Sequence, residues 1–126
     1  YKSLPKKIFD FKKSLINYKN NFSNFLEEQR SLGIKVFGYG APQKVVVLLN
    51  YFQINVDNIS LIADISKEKQ NKFIPGTNIK ICDPKLLIDL NAEIIIVFAW
   101  NYYDEIKKQL ISMGSNATIL SIESFK

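Results

Sequence analysis

Apolar positions divide the chain into two regimes. Ile8, Phe11, Leu15, Tyr18, Phe22 and Phe25 recur at spacings of three and four, with lysines and asparagines between them, which is the period of one helix face. Pro5 stands where a first helical turn tolerates proline, and Gly33 supplies a stop. This stripe needs a cover, either the chain's own sheet or a neighbouring domain. After Gly33 the period changes. "IKVFG" (34–38) reads as a buried strand, "PQKVVVLLNYFQI" (42–54) as a helix despite its valines, and "ISLIAD" (59–64) as a second strand. "KEKQNKFIPGT" (67–77) reads as a loop turning at Pro75-Gly76, and "NIKI" (78–81) as a short third strand. Asp83 caps a short helix starting at Pro84, and "AEIIIVFAW" (92–100) is the most apolar strand. "NYYDEIKKQLISMG" (101–114) closes as a helix ending at Gly114, followed by a last strand, "ATILSI" (117–122).

Strands alternating with helices imply right-handed crossovers and a mostly parallel sheet covered on both faces. The predicted fold is a Rossmann-like three-layer α/β sandwich with a five-stranded, mostly parallel sheet in the order 3-2-1-4-5, preceded by a long N-terminal helix. In that order the first and fourth strands are neighbours where the winding reverses, and open sheets bind ligands at that point. "GYGAPQK" and "AWNYY" are therefore expected to meet at one crevice.

Gly38 and Gly40 let the backbone turn tightly, and the amides opening the following helix offer unpaired donors at a positive dipole end. Phosphate or carboxylate is the matched guest. Lys44 adds a charge beside it, and Asp64 stands at the end of the second strand, where dinucleotide-binding folds place a ribose-binding carboxylate. Gln43 occupies the position of the fingerprint's third glycine, and Asp64 lies later than the usual ~20 residues. The turn therefore reads either as an anion site or as a structural turn. Trp100, Asn101, Tyr102 and Tyr103 either stack on a base or sugar and bond its hydroxyls, or serve as core, helix cap and sheet cover. Lys67, Lys69 and Lys72 are a solvated loop or meet an anion, and Cys82 and Met113 read as core filler.

Composition narrows the chemistry. The 126 residues, 47% hydrophobic, fit one layered domain. The absence of histidine removes the commonest general base, and one cysteine leaves neither a disulfide framework nor a ligand cluster for zinc. No catalytic or metal-binding residue is assigned. The net charge of +5 is spread over termini and loops, not gathered into a stripe with aromatics, so nucleic acid is not an expected partner. No apolar run reaches the ~20 residues of a membrane span and no signal peptide is evident, so the expected location is cytoplasmic. The chain starts at Tyr1 without an initiator methionine, as a piece of something longer would.

Three stretches together, "GYGAPQKVVVLLNYF", "ADISKEKQNKFIPGTNIKI" and "AWNYYDEI", resemble the C-terminal domain of sugar C-methyltransferases acting on nucleotide-linked deoxysugars, in the family's order and spacing over roughly residues 34–106. The family pattern Gly-x-Gly-Ala-x-x-Lys, then Gly-Asn-Thr, then Leu-Leu-Asn-Tyr is kept at Gly38, Gly40, Ala41, Lys44, Leu48, Leu49, Asn50 and Tyr51. Val45, Val46 and Val47 replace the Gly-Asn-Thr, and Asn71 replaces a loop glycine. The family's remaining positions fall on Asp64, Lys69, Pro75, Gly76, Thr77, Trp100 and Asn101. The resemblance implies that residues 34–126 are a Rossmann-like C-terminal methyltransferase domain, with residues 1–33 a helix connecting to it or packing on it. It implies that Gly38, Tyr39, Gly40, Ala41, Lys44, Asp64, Thr77, Trp100, Asn101 and Tyr102 contact the nucleotide sugar. An upstream domain of the same polypeptide would bind S-adenosylmethionine and carry the catalytic histidine, so this chain would hold no cofactor and be inactive alone. Two other readings stay open: a nucleotide or anionic-metabolite binding module unconnected with methylation, and a degenerate domain serving only inter-domain packing.

Overall fold

The structure, a computed structural model, describes residues 3–126; the chain start at Tyr1 lies outside the described residues. Helix α1 (Ser3–Ser31) leads into β1 (Val36–Tyr39), α2 (Gln43–Tyr51), β2 (Leu61–Ala63), β3 (Phe73–Ile74) and β4 (Ile79–Cys82). Then come α3 (Pro84–Asp89), β5 (Ile94–Val97), α4 (Tyr103–Ser112) and β6 (Thr118–Ser121). Short 3₁₀ turns occupy Trp100–Tyr102 and Ile122–Phe125. The exit from α1 explains why β1 starts later than the apolar run suggests. Gly33 is left-handed (φ +74°), and the amides of Gly33 and Ile34 donate back to Arg30 and Gln29 carbonyls, so Ile34 still belongs to the helix stop.

The sheet has six strands in the order β3-β4-β2-β1-β5-β6, parallel throughout except between β3 and β4. The five expected strands keep their expected order, and β1 lies parallel to β5 with Gly38 opposite Ile96 and Tyr39 opposite Val97. The correction is the sixth strand. Residues 67–77, read as loop, contain β3, which pairs antiparallel at the edge, Phe73 with Lys80 and Ile74 with Ile79. A two-residue strand is too short to display alternation, yet Ile74 is buried and Phe73 exposed. Gly76 (φ +80°) and Asn78 (φ +61°) make the reversal between β3 and β4 possible.

Helices cover both faces of the sheet. One core layer joins Phe22 and Leu26 of α1 and Val45 and Leu49 of α2 to Ile62, Ile81 and Ile96; the other joins Leu87, Ile106 and Leu110 of α3 and α4 to Phe37, Ile95, Val97 and Ile119. Asp83 caps α3 as expected, its Oδ1 accepting from Lys85 N at 2.8 Å. Cys82 is buried and Met113 partly buried. The α1 stripe divides: Tyr18 and Phe22 are buried, as is Leu26 beside the partly buried Phe25, at roughly 1.5–3 kcal/mol for each large apolar side chain buried, whereas residues 5–14 are all exposed. Although α1 runs for 29 residues, no helix among the described residues is long and apolar enough to cross a membrane.

Tyr18 packs edge-on against Phe52, ring centroids 5.1 Å apart. Burial, with the Glu123 carboxylate adding to it, pushes its phenol from 10.0 to about 12. The folded state then keeps a proton that the unfolded chain releases, so this contribution is complete below pH 10 and is lost as pH rises toward 12. Denaturant titrations across that range are expected to show Tyr18→Phe losing about 2 kcal/mol less stability than the parent.

Candidate functional site

The strand ends form one rim. Beyond the strands, Phe98 N donates to Tyr39 O, Gly40 N to Ala63 O and Asp64 N to Cys82 O, at 2.7–3.0 Å, so the chain leaving β5, β1, β2 and β4 finishes at a common level. The "GYGAPQK" turn and the "AWNYY" segment meet there. Gly40 is left-handed (φ +96°), and a Cβ on it would stand 2.9 Å from Ala99 Cβ and 3.1 Å from Ala99 N. A Cβ on Gly38 would stand 2.7 Å from the Phe98 ring and 2.9 Å from Ile62 Cγ1. Both glycines thus admit the neighbouring strand's continuation.

Asp64 holds the turn from the other side. Its Oδ2 accepts from Ala41 N at 2.9 Å and its Oδ1 from Ser66 N at 2.8 Å. Lys69 Nζ donates to Ala41 O at 3.1 Å and lies 3.9 Å from Asp64 Oδ2, and Gln70 Nε2 donates to Asp64 O at 2.8 Å. The carboxylate expected on a ribose is engaged by two backbone amides, and it takes a donor of the turn that an anion would otherwise use. Lys69 also leaves the solvated-loop reading: it bonds back to the turn.

Lys44, one residue into α2, places its Nζ 5.7 Å from the centre of the Trp100 ring, within reach of a cation–π attraction. Trp100 is 46% exposed and therefore not core. Below the pair lies a cleft of about 210 Å³ bounded by Tyr18, Lys44, Leu48, Trp100, Glu123 and Lys126, with Lys126 Nζ and Glu123 Oε2 paired at 2.7 Å. Asn101 and Tyr102 are exposed beside Trp100. Asn101 does not cap the next helix: α4 begins after Tyr102, and no side chain bonds its first amides. Tyr103 turns inward, its hydroxyl donating to Ile119 O at 2.7 Å. Of the three valines, Val45 is buried and Val47 faces solvent. A larger depression of about 320 Å³ is bounded by Gly33, Lys35, Ser60, Leu90 and Asn91, at the end of the sheet where parallel strands begin, away from the ligand-binding side of such sheets.

Of the expected site residues only Lys44 and Trp100 line the cleft, and two others are buried in the fold. Tyr39 is buried in the α3/α4 layer, where burial, followed by the charges of Asp64 and Asp83, raises its phenol pKa. Thr77 is buried before β4, at the opposite end of the sheet, its Oγ1 donating to Ile74 O and accepting from Ile79 N. Asn50 joins it there, its Nδ2 donating to Val46 O and Pro75 O, and Asn50 fills the space that any side chain at Gly76 would need. Conversely, sequence reasoning missed Tyr18, Glu123 and Lys126 as cleft walls. Tyr18 was legible only as one more apolar stripe position, and nothing in the last five residues marks a site. Burial and then Asp83 push the Cys82 thiol up to about 11, which keeps it protonated near neutral pH. Among the described residues no group of three metal-ligating side chains converges.

If the Asp64 clamp fixes the turn, Asp64→Ala leaves the Ala41 and Ser66 amides without that acceptor and is expected to cost about 1–3 kcal/mol in urea denaturation. Lys69→Met, at a half-exposed ion pair, is expected to cost less than about 1 kcal/mol.

A family model for the C-methyltransferase C-terminal domain matches residues 5–121. The chain is 35% identical over 85 residues to the C-methyltransferase NovU of Streptomyces niveus, an alignment taking in 65% of this chain and 20% of that protein. The chain thus spans about a fifth of the length of this curated relative. Among solved structures, the crystal structure of RSP, a Rex-family repressor, is similar at a TM-score of 0.48 and 13% identity, over 74% of this chain and 56% of that one.

Proposed function

The chain belongs to the C-methyltransferase C-terminal domain family, and we propose on that basis that it is the substrate-side domain of a methyltransferase acting on a nucleotide-linked sugar. The observation that carries the reading is the Lys44–Trp100 pair over a cleft at the point where the sheet's winding reverses. Trp100 offers an exposed π-face to a base or sugar, Lys44 offers charge to phosphates, and Asn101 and Tyr102 offer hydroxyl-bonding groups at the rim. In this reading Gly38, Gly40, Ala41 and Asp64 shape the turn that carries Lys44 and meet the ligand at most through backbone atoms.

S-adenosylmethionine, when bound to the whole enzyme, supplies the methyl group as an electrophilic sulfonium. This chain's residues do not fit that donor: its glycine turn is filled by Phe98 and Ala99, and Ala41 N is taken by Asp64. Nor do they offer an obvious base, since histidine is absent and Tyr39 and Cys82 are held protonated. In this reading donor and base belong to another part of a larger enzyme, and the single buried thiol is compatible with a cytoplasmic setting. A second reading, inter-domain packing without a ligand, is favoured by the same filled turn.

Calorimetry on the intact enzyme with dTDP- and UDP-sugars separates the two. Trp100→Ala is expected to weaken binding about tenfold or more through lost stacking. Lys44→Ala is expected to weaken it severalfold, more at low salt. Both variants binding like the parent would favour packing alone. Residues 1–126 by themselves are expected to transfer no labelled methyl group to a nucleotide sugar and to give no donor-binding isotherm; either signal would contradict the division of roles.

A further inference from the structure

The apolar stripe of α1 continues past the point where this chain stops covering it. Tyr18, Phe22 and Leu26 are buried, but Ile8 and Phe11, about three and two turns before Tyr18 on the same stripe, are 50% and 58% exposed. With Leu15 they line an open groove of about 530 Å³ that Tyr51, at the end of α2, completes. Phe9 and Ile16 add further exposed apolar surface beside it. A solvated helix end has no use for such a stripe, and a segment this short is marginal as a free helix in water.

We propose that this groove is the seat of a further part of the same polypeptide, through a surface with an apolar centre and an acidic rim. The proposal rests on the reading of the chain as one domain of a larger enzyme. Two observations choose this occupant. First, residues 5–17 carry four lysines, Lys6, Lys7, Lys12 and Lys13, against Asp10 alone, so a second copy would set lysine rims against each other, whereas an acidic rim is complementary. Second, the match to NovU takes in only 20% of that protein, so the relative has ample further chain to cover such a face. Tyr51 lies eight residues along α2 from Gln43, roughly 12 Å from the turn. On α1, Leu15 of the groove stands one helical turn from Tyr18 of the cleft, so a partner on the groove borders the Lys44–Trp100 cleft.

Hydrogen exchange of amides 5–17, compared between residues 1–126 alone and the intact enzyme, tests the proposal. Exchange about tenfold or more slower in the intact enzyme is expected, and the Ile8→Glu/Phe11→Glu double variant is expected to abolish that protection. Because both side chains are exposed, the double variant should leave the melting temperature of residues 1–126 within about 2 °C of the parent. Equal exchange in both contexts would overturn the proposal. So would protection in residues 1–126 alone that grows with concentration, which identifies a second copy as the occupant. Methyl transfer to a nucleotide sugar, assayed in the same intact enzyme, keeps the two readings apart. Protection without such transfer removes the substrate assignment and leaves the docking face. Transfer without protection does the reverse.

Discussion

Strand β1 can close on the continuation of β5 only because positions 38 and 40 carry no side chains. The Phe98 ring takes the space above Gly38, and Ala99 takes the space beside Gly40. In a close-packed interior, a methyl at either place would force a shift of several tenths of an ångström in backbone or ring. The contact fixes the height at which the turn enters α2, and that height sets Lys44 over Trp100. Asp64 secures the same turn from β2 by taking Ala41 N, while Lys69 holds Ala41 O. The cleft is thus built by backbone closeness first and by charge second.

The residues that carry the family resemblance serve two ends of the sheet. Gly38, Gly40, Ala41, Lys44, Asp64, Lys69, Trp100 and Asn101 gather where the parallel strands finish. Asn50, Pro75, Gly76 and Thr77 form a latch at the other end, tying the C-terminus of α2 to the β3–β4 hairpin. Loss of that latch would free the edge strand and the end of α2 together. Its polar groups are satisfied inside the fold, which explains why Thr77 gives nothing to the cleft although it belongs to the same pattern.

The sheet order and the meeting of the turn with the β5 end were legible in the sequence because short continuous apolar runs alternate with helical runs, leaving few topologies. Strand β3 was not, because two residues carry no period. The partition of α1 was hidden as well: Ile8 and Phe22 obey the same spacing, and spacing does not reveal where the sheet beneath ends. The packing role of the glycines was hidden for a related reason. A glycine that admits a ligand and one that admits a neighbouring strand look alike until the neighbour's position is known. Glu123 and Lys126 reach the cleft only because the chain after β6 turns back over Tyr18, a long-range event without a local signal.

Trp100 is the only tryptophan in the chain, so its fluorescence reports on the cleft alone. Residues 1–126, excited at the red edge to exclude the six tyrosines, are titrated with a nucleoside diphosphate sugar against free sugar as control. Saturable quenching by the nucleotide sugar, absent with the free sugar and weakened by added salt, is the result that a base stacked on Trp100 and phosphates near Lys44 predict. Emission unchanged by the nucleotide sugar, while calorimetry on the same sample registers binding, would place the ligand elsewhere and contradict the cleft as the substrate site.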